Sequence, residues 1–205
     1  MDKTKKFVIT INREYGSGGH AIGKELARRL GVKLIDKQIL AAVAEHFNLT
    51  VEEAQQLEHR TPSWWDDFTH FYEGFMRMNE YTVDAHDITS RQLFYAQRKA
   101  MLEIAQEESC VVIGRCGFDI FKDHDNVMKL FVYSPLDKRI QRIVETQKVS
   151  AKKAEELIRD NDFTRQEYVK SFTGKSWYDL RNYDISLNVG ELGVEGAVDF
   201  LMEKL

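Results

Sequence analysis

The sequence predicts an α/β fold: a parallel sheet with helices on both faces. Three observations carry this reading. Short apolar runs rich in β-branched residues recur along the chain, helical patterns separate them, and the first run leads directly into a glycine-rich turn and a helix. Residues 7–11 (FVITI) form that first run. Residues 13–19 (REYGSGG) form the turn, and Ile22, Leu26 and Leu30 then mark one helix face over 21–30, with Gly31 as its stop. Residues 32–35 read as a second short strand ending at Asp36, followed by a helix through Ile39, Leu40, Val43 and Phe47. The stretch from about 49 to 98 is aromatic (Trp64, Trp65, Phe68, Phe71, Tyr72, Phe75, Tyr81), with helical spacing in places, and a helix is expected over 88–107. Strands follow at 110–113 (CVVI), 127–132 (VMKLFV) and 185–189, with a closing helix from about 194. Pro135 opens a basic helix over 136–148, and Ser150 caps another over 151–170.

Composition narrows the function classes. A chain of 205 residues with 43% hydrophobic content suits one α/β domain with a substantial core. A net charge of −4 argues against a nucleic-acid coat, which needs a strongly basic surface. The two cysteines, Cys110 and Cys116, form no CxxC pair, so a reduced, cytoplasmic setting is expected. Residues 1–6 are charged but precede no signal-peptide core, and no apolar run approaches the roughly 20 residues that span a bilayer. No membrane partner is expected. The six histidines show no HExxH or other zinc spacing.

A loop of small residues between a buried strand and a helix N-terminus offers backbone N–H groups with no helical partner. With the helix dipole, these make an anion site that glycines let phosphate oxygens approach closely. A tight strand–helix connection with no ligand is the alternative. A literal GxxxxGK[ST] scan finds residues 18–24 (GGHAIGK), but Glu25 stands where a hydroxyl is required and Lys24 falls inside the helix. Anchoring the loop on the strand gives residues 13–20 (REYGSGGH), with Gly19 in the lysine position and His20 in the Ser/Thr position. The missing lysine would reach the β/γ-phosphates and the missing hydroxyl would hold Mg²⁺. Arg13 is a candidate source of the absent charge, and Ser17 of a hydroxyl.

The motifs ITINREYGSGGHAIGKELARRLG (9–31), LIDKQIL (34–40), VVIGRCG (111–117), DFTRQEY (162–168) and YDISLN (183–188) together resemble the cytidylate kinase-like family of P-loop proteins. The resemblance runs nearly the whole chain and is weakest over about 50–90. It implies a three-layer P-loop kinase fold: a five-stranded parallel sheet with helices on both faces and a helical lid. One domain would span 1–205, with a helical acceptor-binding region at about 40–105 and the lid at about 136–175. The implied activity is transfer of the ATP γ-phosphate to a nucleoside monophosphate with Mg²⁺. Two alternatives stay open, a nucleotide-binding regulatory protein without transfer and a kinase of a non-nucleotide acceptor.

Site residues follow from both readings. Gly16, Ser17, Gly18, Gly19 and His20 would bind ATP, and Arg13 would contact its phosphates. Asp36, beyond the second strand, would handle acceptor or Mg²⁺, with Ser17 as a further metal ligand; an N-cap is its other reading. Gly114-Arg115 resembles the Gly-Arg pair that contacts the acceptor in monophosphate kinases, although Cys116 stands where cytidylate kinases carry aspartate. Arg165 with Asp162, in the DFTRQEY match, and Arg139 are candidate lid groups closing over the phosphates. Their other reading is solvated helices, given the acidic residues around them. Tyr168, Phe172, Trp177 and Tyr183 read as packing. Trp64, Trp65 and Phe68 suit an acceptor pocket or a homodimer face.

Overall fold

The structure, a computed structural model, describes residues 1–36 and 90–205. The expected helix through Ile39–Phe47 and the aromatic stretch from Trp64 to Tyr81 lie outside the described residues, as does most of the 40–105 region. The described chain runs β1 (Val8–Arg13), α1 (Gly19–Leu30), β2 (Lys33–Ile35), α2 (Ser90–Glu107), β3 (Cys110–Ile113), α3 (Gly117–Ile120), β4 (Val127–Tyr133), α4 (Leu136–Gln147), α5 (Ala151–Thr173), β5 (Ile185–Asn188) and α6 (Val189–Lys204).

The five strands are parallel, in the order β2-β3-β1-β4-β5. β1 is central because it is apolar on both faces: Val8, Ile9 and Ile11 are fully buried, as is Thr10 between them. One face carries Ile9, Ile11, Val111, Leu130 and Val132 against Ile22 and Leu26 of α1 and Val198 and Leu201 of α6. The opposite face carries Val8, Val112 and Phe131 against Met101 of α2, Phe118 of α3, Val169 of α5, and Trp177 and Tyr183. Those two aromatics pack as expected, and Tyr183 also joins a polar chain: its hydroxyl donates to the Trp177 carbonyl (2.7 Å) and accepts from Asn12 Nδ2 (3.0 Å). Three layers result, as predicted.

Boundaries differ in two informative places. β1 continues two residues beyond Ile11 because β4 keeps pairing with it, as far as Arg13 opposite Val132. Arg13 is therefore the last strand residue, held in register on the sheet. α6 begins at Val189 and is interrupted at Gly193 (φ 65°, ψ −178°), so a helix from 194 is only its second segment. Ser150 caps α5 as expected, accepting from the Lys153 amide at 3.2 Å, an arrangement worth about 1 kcal/mol. None of the described helices is long and apolar enough to cross a membrane.

Connections leaving β1 pass toward β2, whereas the chain leaving β3 crosses over β1 to β4. Adjacent strands whose connections diverge open a crevice beyond their carboxyl ends, where doubly wound sheets bind ligands. Here that crevice lies between Arg13 and Gly114.

Candidate active site above strands β1 and β3

The glycine-rich loop runs from Glu14 to Gly18 and delivers its amides to the N-terminus of α1. Gly18 is left-handed (φ 90°) and no side chain caps the helix, so the first-turn N–H groups stay available to an anion. Ser17 is fully buried, and its Oγ donates to the Glu14 carbonyl at 2.8 Å, bracing the loop from inside.

Beside the loop lies a cavity of about 430 Å³, lined by Asn12, Arg13, Asp36, Arg115 and Arg165 among others. Four elements supply these groups: Asn12 and Arg13 end β1, Asp36 follows β2, Arg115 follows β3 and Arg165 projects from α5. His20, at the start of α1, stands with its Nδ1 3.9 Å from Asp36 Oδ2. The sequence-predicted residues Arg13, His20, Asp36, Arg115 and Arg165 thus share one crevice.

Arg115 reaches the crevice through an unusual backbone. Gly114 (φ 72°), Arg115 (φ 53°) and Cys116 (φ 55°) are three consecutive left-handed residues, closed by the Gly117 amide donating to the Gly114 carbonyl at 2.9 Å. Left-handed geometry costs about 1–2 kcal/mol per non-glycine residue. Burial of Cys116 and packing of α3 on β1 and β3 hold it. Strain of this kind gathers where a side chain must be aimed.

Positive charge gathers in the crevice among the described residues. Arg13 is pushed down to about 9, first by burial and then by the positive charges of Arg165 and Arg115, with Asp36 acting the other way. Burial likewise lowers Arg165, against the pull of Asp162. A second aspartate on the lining, Asp160, is already bonded to Arg159 (3.2 Å). Three clustered guanidinium groups suit an anionic ligand.

The structure places Arg139 differently from the sequence reading. It does not line the cavity. It is buried at 7% exposure, with Nη1 2.5 Å from Asp162 Oδ2 and 3.4 Å from Glu14 Oε2. Asp162 also accepts from the Tyr15 amide at 2.7 Å, and Glu14 from the Ser134 amide (3.3 Å) and the Tyr178 hydroxyl (3.4 Å). Arg139 and Asp162 therefore clamp the loop to α4 and α5. Arg142, one turn on, is the α4 arginine whose guanidinium lies against the loop, about 3.2 Å from where a Cβ on Gly18 would stand. Arg139 and Arg142 lie three residues apart on one helix, and only the helix rotation separates their roles.

A profile of the cytidylate kinase-like family matches residues 8–191. The chain belongs to that family. A cytidylate kinase from Archaeoglobus fulgidus is 25% identical over 201 residues, covering 95% of this chain and 92% of the relative. An uncharacterised protein from Eubacterium ventriosum superposes with a TM-score of 0.72 at 24% identity, covering 97% of this chain and 98% of the other. A shikimate kinase from Bacteroides thetaiotaomicron shares the fold at a TM-score of 0.50 and 17% identity, over 97% of both chains. The cytidylate kinase-like chain therefore has the P-loop kinase fold, with its crevice residues on the motifs the family resemblance singled out.

Proposed function

We propose that this protein is an ATP-dependent small-molecule kinase whose acceptor carries a phosphate, a nucleoside monophosphate of the cytidylate type foremost. The observation that carries the reading is the convergence of Arg13, Arg115 and Arg165 on one cavity beside an uncapped, glycine-rich helix N-terminus. The family membership supports phosphoryl transfer, and the named relative supports a nucleotide acceptor.

Phosphoryl transfer needs positioning and charge neutralisation more than covalent chemistry. In this reading the amides of Gly16, Gly18, Gly19 and His20 hold the donor phosphates, with Arg142 over the loop. Arg115 binds the acceptor phosphate, and Arg165 brings charge to the transferring group from the opposite wall. Asp36 orients the acceptor or contributes a carboxylate to Mg²⁺. Among the described residues no three acidic, histidine or cysteine groups cluster to hold a metal by themselves. Mg²⁺ binds through one or two carboxylates plus substrate phosphates, and in this reading Asp36 supplies the carboxylate. The bound ion would neutralise charge on the phosphate oxygens. Ser17, bonded within the loop, is the weaker candidate ligand.

A phosphoryl-transfer panel tests the proposal: purified protein with ATP and Mg²⁺ against each ribo- and deoxyribonucleoside monophosphate, resolved by chromatography. A new diphosphate product that disappears in Arg115→Ala is the expected result. ATP binding without any product would favour the nucleotide-binding regulatory reading, for which Gly19 and His20 in the lysine and hydroxyl positions are the motivation.

A further inference from the structure

The phosphate loop of this chain differs from the usual one at the first glycine and at the lysine, and the two differences belong together. In the strand-anchored register Arg13 stands where the first glycine is expected and Gly19 where the lysine is expected. A Cβ placed on Gly19 would lie 2.5 Å from Arg13 Cβ, 2.8 Å from Arg13 Cγ and 3.4 Å from Val132 Cβ. The Arg13 side chain thus leaves the strand through the volume in which any side chain at 19 would begin. Because the colliding atoms are Cβ and Cγ, close to the backbone, Arg13 cannot swing aside to relieve the clash.

At its other end the guanidinium passes against Gly114, where a Cβ would collide with Nη1. Arg13 therefore runs between two glycines, one opening α1 and one closing β3, and ends in the cavity with Arg115, Arg165 and Asp36. A lysine at 19 and an arginine at 13 exclude one another in this fold.

We propose that Arg13 and Gly19 are an exchanged pair: Arg13 takes over, from the end of β1, the polyphosphate-binding cation that the usual loop carries at the start of α1. Gly19 and Gly114 are then the clearance for its side chain. The ligand class is an oligophosphate, either the tail of a nucleoside triphosphate or a free chain of linked phosphates. The inference rests on the kinase reading for its biological ligand but not for its geometry.

The test is a double-variant cycle in the full chain, comparing wild type, Arg13→Gly, Gly19→Lys and Arg13→Gly/Gly19→Lys. Tripolyphosphate and ATP binding are read by calorimetry, and thermal midpoints by circular dichroism. Removing one charge-assisted phosphate contact should weaken tripolyphosphate by about 10–100-fold in Arg13→Gly. Gly19→Lys should lose both binding and thermal midpoint, and the double variant should regain both. If Gly19→Lys does not fold, Gly19→Ala makes the same steric statement: destabilised alone, tolerated in the Arg13→Gly background. Unchanged binding in Arg13→Gly, or a double variant no better than the worse single one, overturns the exchange. Arg13-dependent tripolyphosphate binding without phosphoryl transfer would leave the exchange standing and remove the kinase reading. Transfer indifferent to Arg13 would do the reverse.

Discussion

Arg165 donates from Nη1 to the main-chain carbonyl of Arg13 across 2.9 Å, joining the middle of α5 to the end of the central strand. The same guanidinium lies 5.3 Å from the centre of the Tyr15 ring and 3.8 Å from Asp162, so it is held on three sides while still lining the cavity. Arg165→Ala should lower transfer by about 10²–10³-fold, the scale of one positioned transition-state donor. Arg165→Lys should recover only part of this, because an ammonium cannot reproduce the planar fork. Steady-state kinetics with ATP and the preferred acceptor decides it, and an Arg165→Ala enzyme within a few-fold of wild type would remove Arg165 from the reaction.

Arg139 sets a different expectation. Its guanidinium pairs with Asp162 and Glu14 in a buried setting, so Arg139→Met removes Glu14's ion pair and leaves Asp162 only the longer contact to Arg165 at 3.8 Å. Breaking a buried pair from one side costs about 3–5 kcal/mol. Urea unfolding should show a loss of that order, and Arg139→Met/Asp162→Leu should recover a large part of it. A loss below about 1 kcal/mol would mean the clamp behaves like a surface pair.

Glu14 gives a pH signature. Burial raises its carboxyl above the ordinary range, against the opposing pull of Arg139 and the Ser134 amide. Between the ordinary and raised values the folded state holds more protons than the unfolded one, so this group's contribution falls as pH rises across that interval. Glu14→Gln lacks the contribution. The stability of wild type relative to Glu14→Gln should therefore be greatest in acid and shrink toward neutral pH, measured by urea unfolding at both ends. A difference that grows toward neutral pH would reverse the assigned sign.

Arg142 is expected to act on the donor alone. Its guanidinium stands over Gly18, on the loop, and does not line the cavity shared by Arg13, Arg115 and Arg165. Arg142→Ala should raise the KM for ATP by about tenfold, the lower range for one charge-assisted bond, and leave the acceptor KM near wild type. A shift confined to the acceptor KM would place it on the wrong side of the loop.

How much of this is legible in the sequence depends on how local the cause is. The central strands declare themselves because 8–11 and 110–113 are buried on both faces and so read as unbroken apolar runs. The glycine loop, Asp36 and Gly114-Arg115 are legible because each follows a strand in a fold that gathers strand ends. The clamp is not legible. Arg139 and Asp162 lie 23 residues apart on separate helices, and as sequence they resemble the other charged groups of solvated helices. Only the packing of α4 against α5, through Ile143, Ala154 and Ile158, brings them together and excludes water. The Arg13–Gly19 relationship lies between these cases. Both departures are visible in the motif, but their connection needs the path of one side chain.

The position of β1 also orders events in time. It is the first of the five described strands in the chain and the middle strand of the finished sheet. Val8 has its strand partners in Cys110 and Val127, and Arg13 has its own in Val132, all far along the chain. The ladders on both sides of β1 therefore form only after these distant segments exist, because contacts this distant in sequence cannot form early. β5 then adds to β4 at the edge, Leu130 meeting Ile185. A chain stopped before β4 would lack the strand that pairs with β1 as far as Arg13, leaving that side of the glycine loop's base as an open sheet edge.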